Sequence, residues 1–450
     1  MNSTPAALDV GRVIDGSAWN PFQKRLLALA SSAFAADGMA NLVLGLAVPA
    51  LIRDWHLPRE AFASVTGAGL VGVTLGAGFG GVLGDRLGRR VSLTGAILLF
   101  GLMTALSALA PGVGALLLAR LIGGLGVGAA IPNGAALIAE FTPARHRSVA
   151  IAIGMVFIPI GALLVGLIGA LVLPSLGWRG LFAISGGLCI LLSLLFMAVL
   201  PESPSFLARL PQRQTELVTL LRKCGYEAGP HDSFAQNVPA NHTTLGVLLR
   251  SGMAGNTLLL WSAFFFCLLA SYSMFSWIPT MLAGQGFHLA QTSLGMTAFN
   301  LGGVIGGVAG GWLIGTLGSR RCVIIVGVGT VAGALALRIL PINPASGISL
   351  VLGSLAVEGF FVSGMQNAVY TLSTAVYPPF ARATGVGAAA AIGRIGAVVS
   401  SFTGVLALRL GGAAGYFLVI ASAAALAAFL MIVMSRQIPA VDRSRPLAGT

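Results

Sequence analysis

The chain has 450 residues, of which 56% are hydrophobic and only 9% charged, with a formal net charge of +13. A soluble chain carries roughly 25% charged residues, so most of this surface faces lipid rather than water. The basic residues sit in short loops between apolar stretches, a distribution that excludes a nucleic-acid-binding patch.

A helix needs about 20 apolar residues to cross the hydrocarbon. Twelve stretches qualify: 26–52, 62–83, 91–110, 115–139, 149–173, 180–200, 257–283, 292–314, 322–342, 348–375, 384–409 and 415–435. The expected fold is an all-α membrane protein, twelve transmembrane helices in two pseudo-symmetric six-helix bundles. The boundaries are a cytoplasmic N-terminal segment (1–25), the first bundle (26–200), a cytoplasmic central loop (201–256), the second bundle (257–435) and a cytoplasmic tail (436–450). Residues 1–23 are polar and mixed, and the apolar run that follows outlasts a signal peptide, so no cleavable leader is read. Cys189, Cys224, Cys267 and Cys322 form no CxxC pair, which indicates neither a disulfide framework nor a metal site.

Orientation follows from Lys and Arg placement, since basic loops stay cytoplasmic. With the N-terminus inside, 19 basic residues fall in cytoplasmic segments: Arg12, Lys24, Arg25, Arg86, Arg89, Arg90, Arg145, Arg147, Arg209, Arg213, Arg222, Lys223, Arg250, Arg320, Arg321, Arg382, Arg436, Arg443 and Arg445. Only Arg53, Arg59 and Arg179 fall outside, so both termini are read as cytoplasmic. In the central loop Leu217, Leu220, Leu221 and Cys224 recur at helical spacing beside Arg222 and Lys223. That pattern fits a short helix on the membrane surface, or a linker that only joins the halves.

The halves repeat. Gly72, Gly76, Gly80 and Gly81 match Gly302, Gly306, Gly310 and Gly311 about 230 residues on, and Pro49 matches Pro279. Small residues four apart let helix backbones approach closely, but packing alone does not explain the matched offset. The charged turn Gly84-Asp85-Arg86-Leu87-Gly88-Arg89-Arg90 between spans 2 and 3 also returns, as Gly318-Ser319-Arg320-Arg321. Duplicated six-span halves that rock about a midplane site are one transporter architecture.

The turn at Gly84–Arg90, with Arg120-x-x-x-Gly124-x-Gly126 opening span 4, resembles the major facilitator superfamily over the whole chain. A narrower resemblance is to its aromatic acid:proton symporter family, of the 4-hydroxybenzoate and benzoate type. It rests on Asp37-Gly38, Val48-Pro49-Ala50-Leu51, Asp54-Trp55, Pro132-Asn133 before Glu140, and Pro201-Glu202-Ser203-Pro204. Ser276-Trp277-Ile278-Pro279-Thr280, Arg382-x-x-Gly385 and Gly393-Arg394-x-Gly396 add to it. The resemblance implies proton-coupled uptake of a small, hydroxybenzoate-like aromatic carboxylate by alternating access across a bacterial inner membrane. That family has a second acid three residues after the first-span one; this chain has Ala40 there.

Ionisable side chains at bilayer depth cost several kcal/mol and are functional candidates by default. Asp37 in span 1, Glu358 in span 10 and Arg394 in span 11 lie near mid-span. Arg338 and Arg409 lie near span ends and can snorkel to the interface. Asp37 is the first candidate for the proton site, and Glu358 a second proton site or a salt-bridge partner. Arg120 resembles the superfamily arginine associated with proton-coupled members. Arg394 offers a planar fork to a carboxylate. In one coupling scheme an incoming substrate neutralises Arg394 and a neighbouring acid then takes a proton; a static Asp–Arg pair that orders the bundle is the competing reading. Asn41, Tyr272, Phe275, Trp277, Phe299, Asn300, Phe361, Gln366, Asn367 and Tyr370 are candidate ligands for a flat hydroxylated ring, and each can equally be packing.

Gly84, Asp85, Arg86, Gly88, Arg89 and Arg90 are assigned to gating. Glu140 is expected to latch onto Arg145 or Arg147. Gly315 stands where the superfamily often has an acid in the second half, so the latch is expected to be one-sided. The expected partners are a small-molecule organic acid, protons and the lipid bilayer, with no nucleic acid, cofactor or metal, and the protein is read as a monomer. The alternatives are proton-coupled efflux of drugs or organic acids, kept open by Gly154 to Gly161 in span 5, and uptake of another organic acid. No nucleophile–base set points to an enzyme, and no appended domain points to a receptor or scaffold.

Overall fold

The computed structural model describes residues 8–226, 234–235, 245–249, 253–377 and 382–439. Arg250, Arg443 and Arg445, used above for orientation, lie outside these residues, as do parts of the central loop and of the tail. A two-residue strand, β1 (Leu8–Asp9), pairs in parallel with β2 (Phe234–Ala235). The rest of the regular structure among the described residues is helical. It begins with α1 (Val10–Asp15), capped by Asp9, whose carboxylate accepts from the Gly11 N–H at 2.9 Å. The long helices before the central loop are α2 (Pro21–Trp55), α3 (Ala61–Leu87), α4 (Arg89–Ser107), α5 (Val113–Phe141) and α6 (Ala144–Val199). Short α7 (Pro204–Leu207), α8 (Gln214–Lys223) and α9 (Leu245–Leu248) follow. The later long helices are α10 (Ala254–Gly284), α11 (Leu289–Leu317), α12 (Ser319–Ile339), α13 (Ile348–Val376) and α14 (Arg382–Val433).

Ten of these helices are long and apolar enough to cross a membrane. Two are double crossings. At 1.5 Å per residue the 56 residues of α6 span roughly 84 Å, more than twice the hydrocarbon thickness. The helix breaks at Gly177, whose φ of 63° lies in the left-handed region. The 52-residue α14 breaks likewise at Gly412, with φ 57°. Divided at these glycines, the ten helices give the twelve crossings expected, in an all-α membrane fold. All four cysteines are free and buried.

The chain forms two compact units. The first comprises Met1–Ala40, Val71–Ala162 and Arg179–Ala240. Within it α3 lies on α5 through Gly72, Gly76 and Gly80, where an added Cβ would strike Leu121, Leu125 and Ala129. α8 turns Leu217, Leu220 and Leu221 into this unit's core, beside Leu207, Val10 and Ile14. The short helix read from Leu217, Leu220, Leu221 and Cys224 forms as α8. Its apolar face is already covered by protein, and the membrane is not needed to bury it.

The second unit comprises Asn41–Leu70, Leu163–Trp178 and Asn241–Thr450. The matched glycines recur here: Gly302 and Gly306 of α11 leave room only for the backbone of α13 at Ala356 and Phe360. This unit also takes in the end of α2, the start of α3 and a middle stretch of α6. Gly45 makes that possible, since a Cβ there would lie 2.9 Å from the Phe275 carbonyl oxygen of α10. At the same end Trp178 Nε1 donates to Asp54 Oδ2 at 2.9 Å, and Trp55 meets Trp178 edge-on at 5.4 Å.

Candidate functional site

The turn between α3 and α4 is held by side chains from three helices of the first unit, α3, α4 and α5, and from the link between α6 and α7. Gly88 N-caps α4 with φ 102°, and has no side chain to satisfy the first-turn N–H groups. Glu202 supplies the missing acceptor: its Oε1 receives the Arg90 N–H at 3.0 Å and the Ser203 N–H at 2.9 Å. The carboxylate lies where a Gly88 Cβ would stand. Arg89 reaches Asp85 at 2.6 Å and Glu140 at 3.6 Å, and also donates to the Gly81 carbonyl at 3.3 Å. Arg90 donates to the Met197 carbonyl.

Glu140 accepts from the Ser203 hydroxyl, which in turn caps α7. The expected latch of Glu140 onto Arg145 or Arg147 is replaced: Arg147 pairs with Asp15 at 2.8 Å, and Arg145 is exposed. Arg86 is exposed, and Gly84 packs against Asn133 and Arg89. The corresponding turn in the second unit keeps Arg320 and Arg321 but carries no acid, and Arg320 donates to the Ile432 carbonyl at 3.1 Å. Gly318, with φ 80°, precedes Ser319, whose hydroxyl donates to Gln437 Oε1 at 2.6 Å. The charged latch is one-sided.

Asp37 is 5% exposed and lines a small cavity whose other walls are apolar, among them Ala33, Ile97, Phe100 and Val127. Next to it Gly38 lies on the Ile158 carbonyl of α6, so the backbones of α2 and α6 touch beside the acid. Arg120 of α5 is 7% exposed, with its guanidinium carbon 4.8 Å over the Phe182 ring, a cation–π contact.

Arg394 belongs to the second unit. Its Nη1 donates to Tyr272 Oη at 3.5 Å. Tyr272 meets Phe275 at 6.0 Å, and Phe275 meets Phe299 at 5.6 Å, both edge-on. Tyr370 meets Phe264 edge-on at 4.9 Å. Arg394, Tyr272, Asn41, Gln366 and Tyr370 are half-buried. Trp277 and Asn300 are fully buried, Asn300 donating to its own helix at Met296. Phe361 packs into Gly329 of α12, and Asn367 donates to the Gly307 carbonyl of α11.

Glu358 is completely buried against Gly333 of α12, with no hydrogen-bond partner for either oxygen. The half-buried candidates are thus one guanidinium, two phenols, three amides (Asn367 committed to Gly307) and the rings of Phe275 and Phe361, while Glu358 sits in the packed interior. Asn133, Glu202 and Ser203 belong to motifs of the resemblance without an expected role, and the structure places all three at the α3–α4 turn.

The model of the Major Facilitator Superfamily matches residues 29–337 and 260–449. The 4-hydroxybenzoate transporter PcaK of Pseudomonas putida is 32% identical over 91% of this chain and 92% of its own. A gallate transporter of Pseudomonas putida is 32% identical over 90% of each chain. Among solved structures, the partially occluded inward open xylose transporter XylE of E. coli superposes with a TM-score of 0.72 at 21% identity, covering 93% of this chain and 99% of its own. With its glycine-faced helix pairs and its charged inter-helix turn, this chain belongs to the Major Facilitator Superfamily and is a membrane transporter, not an enzyme.

Proposed function

We propose that the protein imports a small aromatic carboxylate of the hydroxybenzoate class together with protons, by alternating access. The observation that carries this reading is Arg394 donating to Tyr272 beside further aromatic edges, in a chain about a third identical to aromatic-acid transporters. A guanidinium fork fits a carboxylate, and aromatic edges and faces fit its ring.

In this reading Arg394, Tyr272, Asn41, Gln366 and Tyr370 form the substrate set. Asp37 exchanges the proton, with Arg120 and Glu358 as the further coupling candidates. An anion entering a cytoplasm-negative cell works against about 2.3 kcal/mol per charge per 100 mV, and one proton removes that opposition. The reading includes six-plus-six bundles joined by residues 201–256, an inner-membrane location, cytoplasmic termini and a monomer.

The test is uptake of radiolabelled 4-hydroxybenzoate by proteoliposomes under an imposed pH gradient. Accumulation driven by an acidic exterior, and lost in Arg394→Ala, is expected. Accumulation only with the gradient reversed would make the protein an exporter, and binding undiminished in Arg394→Ala would remove the anion anchor.

A further inference from the structure

The α3–α5 and α11–α13 pairs, which meet through matched glycines, are each pinned by an asparagine amide. In the first unit, Asn133 Nδ2 of α5 donates to the Gly80 carbonyl of α3 at 2.8 Å, and to the Ala129 carbonyl of its own helix at 2.8 Å. In the second, Asn367 Nδ2 of α13 donates to the Gly307 carbonyl of α11. The two amides differ at their oxygens. Asn133 Oδ1 accepts from Arg89 Nη1 at 3.4 Å, so it reaches the charged turn. Asn367 Oδ1 accepts from Thr371 Oγ1 at 3.3 Å, one turn along its own helix.

Asn133 is fully buried. A carboxamide committed by both N–H bonds to two carbonyls has its oxygen fixed in direction, here towards the arginine that also meets Asp85 and Glu140. We infer that Asn133 is a positioning residue that couples the α3–α5 pair to the charged turn by orienting Arg89, while its counterpart Asn367 only pins its own helix pair. A tilt of α3 against α5 then moves Arg89, and the turn follows; among the described residues the second unit has no such link. The inference concerns the first unit's mechanics and stands independently of the substrate.

Deuterium exchange on the purified full-length protein, followed in the segment 81–92, tests it without any ligand. Asn133→Ala removes both the pin and the acceptor, and exchange in 81–92 is expected to rise several-fold. Asn133→Asp keeps an oxygen for Arg89 but loses the donor to Gly80. It is expected to hold 81–92 near wild type while exchange rises around Gly80. Arg89→Met should match Asn133→Ala in 81–92, with no further rise in the double variant. Asn367→Ala should leave 311–322 unchanged. Equal exchange in 81–92 for the Ala and Asp variants, or additive effects of Asn133→Ala and Arg89→Met, would overturn the inference. Should Asn133→Ala fail to fold, the comparison of Asn133→Asp with Arg89→Met decides it.

Discussion

Glu202 caps the first turn of α4 at Arg90, 112 residues away in sequence, and does so across Gly88, where a side chain does not fit. Gly88 has φ 102° and ψ 149°, an essentially glycine-only conformation that costs an L-residue about 1–3 kcal/mol. A Cβ there would also run into the Glu202 carboxylate. Gly88→Ala is therefore expected to lower the Tm of the purified protein more than Glu202→Ala, since loss of a side-chain cap costs about 0.5–2 kcal/mol. In the double variant the clash is gone but the backbone strain stays, so the two losses should sum to less than their separate values.

Arg394 and Tyr272 give the second prediction. Hydrogen bonds to charged groups are worth about 1.5–3 kcal/mol, so Arg394→Ala should weaken 4-hydroxybenzoate binding roughly ten- to hundredfold. Arg394→Lys should not restore it, because an ammonium lacks the planar fork. Tyr272→Phe keeps the ring edge against Phe275 and removes only the hydroxyl. A loss of a few-fold is expected, read by equilibrium binding; a loss as large as that of Arg394→Ala would show the phenol to be the principal anion contact.

The fold was legible because lipid leaves so few options. Apolar runs near 20 residues, the Gly72/Gly302 series and the basic loops all report the same solvent, and the glycines do lie at helix crossings. The site was legible only in part. Scarcity of charge picked out Asp37, Arg120, Glu358 and Arg394, but could not tell a half-exposed guanidinium from a sealed acid like Glu358. Periodicity could not say that Leu217 and Leu221 would find protein instead of lipid, since both are equally apolar partners. Glu140's true partners, Arg89 and Ser203, are set by tertiary packing, not by nearness in sequence.

Cys224 tests that packing from outside the spans. Burial beside α8 leaves it 1% exposed and pushes its thiol up to about 12. It should resist maleimide at neutral pH in the folded protein and react fully on denaturation, as peptide mass spectrometry would read. For a thiol with a raised folded pKa, the stabilising contribution is present below the unfolded value and is lost as pH rises from there towards 12. Thermal stability from this residue should thus fall above about pH 9, near the unfolded thiol, and Cys224→Ser should flatten that alkaline decline. Rapid labelling at neutral pH would mean that α8 does not stay docked.

The end carrying Asp54 and Trp178 supplies a contrast between two glycines. A Cβ on Gly45 meets the backbone carbonyl of Phe275 at 2.9 Å, and a backbone atom cannot swing aside. A Cβ on Gly166 meets the hydroxyl of Thr297, the movable tip of a side chain. Gly45→Ala should therefore push α2 from α10 and hold this end apart, whereas Gly166→Ala should be absorbed by a rotation of Thr297. If that end must close once per transport cycle, Gly45→Ala loses uptake of 4-hydroxybenzoate while keeping its binding, and Gly166→Ala transports at near the wild-type rate. Gly166→Leu, too large for the rotation to absorb, should join Gly45→Ala, and Thr297→Ala should partly restore it. Full uptake by Gly45→Ala would show that the contact at Phe275 is dispensable for closure.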